Sequence, residues 1–127
     1  MKTIVLSVCN SLMAMSITRS LNQTGEFRIR SLHPNGREIA KECTAASADV
    51  LLMEAAYDTG ATLDDCLNQA KLLRSFCPKC KMLLLCDENS APEIARQVVQ
   101  AKKDGLIEDF VYSSVSESYL TALLVAV

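Results

Sequence analysis

The amino-acid sequence predicts an α/β protein, a parallel sheet with helices on both faces. Short apolar runs rich in β-branched residues recur at fairly even spacing, and stretches of helical period lie between them. Hydrophobic residues make up 50% of the chain and charged ones 22%, enough apolar material for a core and too little charge bias for disorder. The 127 residues fit one domain, 1–127.

The first run, residues 4–9 (Ile-Val-Leu-Ser-Val-Cys), reads as a strand buried on both faces. Met13, Ile17 and Leu21 follow at helical spacing. A second strand is expected over Phe27–Leu32, then a helix carrying Ile39, Cys43 and Ala46. Val50–Met53 reads as the third strand, before a helix with Leu63, Leu67, Ala70 and Leu73 on one stripe. Met82–Cys86 is the fourth strand, and Ile94, Val98 and Ala101 mark the helix after it. Ile107–Tyr112 is the fifth, and Leu120, Leu123, Leu124 and Val127 share a stripe of the last helix. Thr62 with Asp65, Ser90 with Glu93 and Ser114 with Glu117 each place a hydroxyl three residues before a carboxylate, the pairing that satisfies free amides at a helix start. Gly25, Gly60 and Gly105 punctuate the connections. The end of the chain fits either a complete small protein or the N-terminal module of a longer one.

The 13 basic and 15 acidic residues leave a net charge of -2, so the domain has no broad basic footprint and no direct nucleic-acid contact is expected of it. Of the six cysteines, Cys9, Cys43, Cys66 and Cys86 fall in apolar runs and read as free thiols of a reducing compartment. The short apolar start turns polar at Asn10 and Ser11, which makes neither a signal peptide nor a membrane span, so the expected location is cytoplasmic.

Ligands of an open parallel sheet gather outside the carboxyl ends of its strands. Here those ends are Val8 to Ser11, Glu54 to Asp58, Cys86 to Glu88 and Tyr112 to Ser114. The blocks Met1-Lys-Thr-Ile-Val-Leu, Ala48-Asp-Val-Leu-Leu-Met-Glu54, Pro78-Lys-Cys-Lys-Met-Leu-Leu-Leu-Cys86 and Phe110-Val-Tyr-Ser-Ser-Val-Ser-Glu-Ser-Tyr-Leu120 resemble the strand-plus-loop blocks of response-regulator receiver (CheY-like) domains. The resemblance spans essentially the whole chain, and is greatest to receivers that precede a helix-turn-helix DNA-binding domain, with Ser116 to Ser118 as the block opening the fifth helix. It implies a flavodoxin-like (βα)5 sandwich with strand order 2-1-3-4-5, and a homodimer or an output domain engaged through helix 4, strand 5 and helix 5.

Receivers bind magnesium with two acids after the first strand, accept a phosphoryl group on an aspartate ending the third, and read it with a hydroxyl and a lysine. Carboxylates suit the hard cation, and the hydroxyl and ammonium hold the new oxygens. This sequence departs at each position. The acid pair falls on Val8 and Cys9, or on Cys9 and Asn10 after a one-residue slip. Glu54 takes the phosphoacceptor position, Cys86 the switch hydroxyl and Ser113 the lysine, while Phe110 matches the aromatic that swings when receivers switch. Glu54 is then either a fixed charge resembling a phosphorylated state or the remnant of a decayed site, with Asp58 and Asp87 nearby as acids for a rebuilt pocket. No metal and no cofactor are expected.

Cys9 with the loop Asn10 to Ser16 also resembles the phosphocysteine loop of sugar phosphotransferase system B components, although such a loop needs glycine to wrap a phosphate and this one has none. Cys77-Pro-Lys-Cys80 has the spacing of a zinc or redox pair but lacks a second pair, follows a helix and precedes a strand, so it reads as two incidental thiols in a turn. His33 is the only histidine and completes no catalytic set. Lys71, Arg74, Arg96, Lys102 and Lys103 read as solvated helix faces. Tyr119, Leu120, Leu123 and Leu124, with Val125 and Val127, give the last helix more apolar surface than one core stripe needs, which marks a dimer or partner face. The expected function is a non-enzymatic, phosphorylation-independent receiver that regulates signalling and transcription; the alternative is a phosphocysteine carrier using Cys9.

Overall fold

The computed structural model describes residues 1–8, 11–31, 38–55, 63–89 and 91–127. Five strands alternate with five helices: β1 (Lys2–Ser7), α1 (Ser11–Thr24), β2 (Phe27–Ser31), α2 (Ile39–Ala45), β3 (Val50–Glu54), α3 (Leu63–Phe76), β4 (Lys81–Cys86), α4 (Pro92–Lys103), β5 (Asp109–Tyr112) and α5 (Glu117–Ala126). All neighbouring strands pair parallel, in the order β2-β1-β3-β4-β5. This is the flavodoxin-like fold that the sequence predicts.

Side chains of a strand point alternately to its two faces, so each apolar run feeds two cores. Ile4, Leu6, Val50, Leu52, Leu83, Leu85 and Val111 pack with Ala14, Ile17 and Leu21 of α1 and Leu120 and Leu124 of α5. Val5, Leu51, Met53, Met82, Leu84 and Cys86 pack on the other face with residues of α2, α3 and α4, among them Cys43, Leu73 and Val98. β2 lies at an edge and exposes Arg28, Arg30 and Ser31, and charges on an edge strand discourage further strands from pairing.

Helix ends are closed locally. After α4, Gly105 N donates to Lys102 O (3.0 Å) and Leu106 N to Ala101 O (3.0 Å), with Gly105 at φ +75°. Ser47 does the same after α2: Ser47 N reaches Thr44 O at 3.1 Å and Ala48 N reaches Cys43 O at 2.9 Å, with φ at 51°. This motif wants glycine, because a Cβ in the left-handed region crowds the following carbonyl. Two further ties join distant segments. Asp49 accepts from Thr3 N through Oδ2 (2.8 Å) and donates its own N–H to Thr3 O (2.8 Å), which locks the starts of β1 and β3. The Lys2 ammonium donates to the carbonyls of Leu124 (2.9 Å), Val125 (3.0 Å) and Val127 (2.8 Å), satisfying carbonyls that the end of α5 leaves free.

Several expected boundaries move. β1 starts at Lys2 and ends at Ser7, and Ile107 precedes β5, buried against the α2, α3 and α4 core. Ser116, extended at φ -72° and ψ 156°, caps α5 by accepting from Tyr119 N at 3.1 Å, in place of the expected Ser114. The N-cap of α4 is Ala91, with Pro92 in the first turn. Cys9, Leu32, His33, Asp58, Gly60, Thr62 and Ser90 lie outside the described residues.

Ser47→Gly is expected to stabilise the protein by about 1 kcal/mol, because it removes the left-handed strain. Leu52→Ala is expected to cost about 3 kcal/mol through the cavity it leaves. Urea midpoints that move up and down respectively, at unchanged slope, check both.

Candidate functional site

The ladder gathers the expected site residues at the carboxyl edge of the sheet. Glu54 ends β3 opposite Leu85, Cys86 ends β4 opposite Tyr112, and Ser7 ends β1 opposite Met53. Past these ends the backbone stays tied: Ala55 N donates to Leu85 O (2.9 Å) and Ser113 N to Cys86 O (2.8 Å). Glu54, Cys86 and Ser113 therefore share one edge, as their positions in the sequence imply.

Their chemistry differs from one to the next. Val8 is 5% exposed and belongs to the core under α1 and α5, so it gives this edge an apolar side chain. Glu54 is half-buried, and its carbonyl accepts from the Cys66 thiol at 3.8 Å. Cys86 is buried and its Sγ donates to Val111 O at 3.8 Å, which turns the thiol into the ladder with β5. Burial, followed by the charges of Glu88 and Asp87, pushes this thiol up to about 11. Asp87 Oδ1 accepts from Asn89 N at 2.9 Å and folds the loop back on itself. Ser7 Oγ and Glu88 Oε2 are buried without a hydrogen-bond partner among the described residues. Ser7 was not singled out from the sequence; a lone hydroxyl inside the run Ile4 to Val8 was the signal available.

The magnesium ion implied by the resemblance does not fit these residues. A hard dication needs several oxygen ligands; Val8 offers only carbon, and the carboxylates of Glu54, Asp87 and Glu88 do not converge on one point. Among the described residues no group of three or more His, Cys, Asp or Glu could hold a metal ion.

Phe110 is half-buried against the α2, α3 and α4 core. Its ring meets Tyr112 edge-on, with centroids 5.4 Å apart and planes at 66°, and Lys102 Nζ lies 5.7 Å from its centroid. Lys102 also pairs with Asp109 Oδ1 at 2.9 Å, and that hydrogen bond raises the ammonium above its ordinary value. Along α5, Leu120 and Leu124 turn into the core at 8% and 0% exposure, so they are closed to a partner, while Leu123 is half-buried and Tyr119 exposed. Cys77 and Cys80 form a turn through Cys80 N to Cys77 O (2.9 Å), and both are buried free thiols. A hydrogen bond with the Cys43 thiol, and then burial, holds Cys80 far above its ordinary range; burial and the neighbouring Cys80 raise Cys77.

No protein-family model matches the sequence, and no curated protein does. Solved structures do match. The signal receiver domain of a response regulator NarL from Mycobacterium tuberculosis aligns at TM-score 0.75 and 17% identity, over 98% of this chain and 94% of that one. The chain has the receiver fold. A DNA-binding response regulator of the LuxR family from Staphylococcus aureus aligns at TM-score 0.74 and 13% identity, over 99% and 98% of the two chains. A protein named adenylate cyclase from Rhodopirellula baltica aligns at 0.73 and 17%, over 98% and 85%. Identities this low speak for the shared receiver fold alone.

Cys86 should resist iodoacetamide at pH 7 in the folded protein and react only as the pH climbs towards 11, because the thiolate is the nucleophile. Peptide mapping after timed alkylation reads this directly, with urea-unfolded protein as the fully labelled control.

Proposed function

We propose that the protein is a receiver-type regulatory module of signal transduction whose output is set by protein contacts or a small ligand instead of aspartyl phosphorylation. The buried side chain of Val8 carries this reading: in the register that sets the acid pair on Val8 and Cys9, it stands where the resemblance requires an acid for magnesium. Phosphoryl transfer to a carboxylate needs charge neutralised on the incoming group, and among the described residues this edge has acids but no group that could hold a cation. Glu54 in place of aspartate, Cys86 bonded into the ladder and Ser113 in place of lysine support the same reading. The module is non-enzymatic and works in the cytoplasm, a location that suits its free thiols.

Its output partner meets the edge formed by α4, β5 and α5. There Lys102 holds Asp109 and overlies Phe110, and Lys103, Asp104 and Glu108 add exposed charge. A surface of that kind suits a polar, reversible contact. A helix-turn-helix domain that binds DNA on the module's behalf fits the resemblance, and the Staphylococcus aureus neighbour is itself named a DNA-binding response regulator.

Incubation with magnesium and acetyl phosphate, followed by intact-mass spectrometry, tests the reading. Unchanged mass is the expected result. A base-labile adduct mapped to Glu54 or Asp58 would restore an ordinary phosphorelay, and one on Cys9 would replace the receiver reading with a phosphocysteine carrier.

A further inference from the structure

Helix α3 packs closely on α2 and far less closely on α4. Between α3 and the loop that enters β5 lies an open groove of about 430 Å³. Sites for small molecules run from roughly 300 to 1,000 Å³, so the groove has room for one. Its floor is apolar, from Leu67 and Leu106, which are half-buried against the core beneath. Its rim is polar, from Asp64, Asn68, Lys71 and Arg74, all exposed.

Charge is unevenly spread along that rim. Lys71 lies two turns along α3 from Asp64, about 10 Å at 1.5 Å per residue, and Arg74 about one turn beyond. Neither cation makes an ion pair among the described residues, whereas Lys81 and Glu108 in the adjoining hollow already hold each other at 3.5 Å. The Arg74 guanidinium donates to Gly105 O on the opposite wall, which fixes its place and leaves its other donors for a ligand. From the sequence both cations read as solvated helix faces; in the structure they stand at one end of a groove with an apolar floor.

We propose that this groove binds a small amphipathic anion, with its carboxylate or phosphate between Lys71 and Arg74 and its apolar body on Leu67 and Leu106. A guanidinium beside an ammonium matches the oxygens of such a head group. An ion without an apolar part would leave the floor wet, and a neutral apolar molecule would leave both cations unanswered. Asp64 repels negative charge at the far end, so the ligand carries one anionic group and lies in one direction. As the input of a ligand-set signalling module the site rests on the functional reading above, whereas binding itself does not.

Titration of the nitrogen-15-labelled whole chain with octanoate and with octyl phosphate, followed through amide chemical shifts, tests it. Saturable shifts are expected over residues 64–74 and 105–108. Lys71→Glu and Arg74→Glu each weaken binding about tenfold, Lys103→Glu at an exposed position of α4 leaves it unchanged, and circular dichroism melts confirm that each variant folds. Inorganic phosphate, which lacks the apolar body, binds about tenfold or more weakly than octyl phosphate. Tighter binding of octyl phosphate assigns the site to phosphate esters, and tighter binding of octanoate assigns it to carboxylates. The proposal is overturned by shifts that never saturate or that fall on α1 and α5, by charge reversals without effect, or by inorganic phosphate binding as well as octyl phosphate. A phosphoryl adduct from acetyl phosphate alongside intact groove binding would sink the signalling reading and leave this site standing.

Discussion

Strands β1, β3 and β4 have stretches that meet no water on either face, and the rest of the structure follows from that. Ile4 to Leu6, Val50 to Leu52 and Leu83 to Leu84 are all fully buried. A backbone amide in such a place can bond only to the next strand, so the ladder has to be complete. Each parallel neighbour in turn needs a crossover, and the crossovers supply the helices that seal both faces. Register is held as tightly as composition. Slipping β3 by one residue would drive Glu54 into the position of Met53, a carboxylate into a core of thiols and aliphatic chains.

The same burial explains what could be read from the sequence. Strands hidden on both faces are written as unbroken apolar runs, and helices packed on one side as stripes such as Ala14, Ile17 and Leu21. Element order and topology were legible because both periods are strong. The edges were less so, since they depend on bonds between distant segments. Lys2 enters β1 because it pairs with Phe27, which a lysine beside a threonine does not announce. Ile107 looks like strand but is apolar because it fills the core ahead of β5. On α5 the sequence could not say which leucines face inward, because a helix with a single charge has no polar side to set its phase.

The candidate site was legible as a set of positions and less so as chemistry. Strand ends bring Glu54, Cys86 and Ser113 to one edge of the sheet. Sequence spacing had no means of showing that the Cys86 thiol turns to the Val111 carbonyl, or that the Ser7 hydroxyl is buried with no hydrogen-bond partner among the described residues. Both depend on which way a side chain leaves the last rung of a strand. What remains there, after the apolar Val8 and the inward thiol, is a set of carboxylates, Glu54 at the end of β3 and Asp87 and Glu88 just past β4.

Lys2 has a mechanical consequence. Its ammonium holds three carbonyls at the end of α5 while its backbone belongs to the strand beside the centre of the sheet. Tension applied to the end of α5 is therefore carried by β1 as well as by the packing of the helix. The last helical turn and the first strand are thus joined by direct hydrogen bonds as well as through the core.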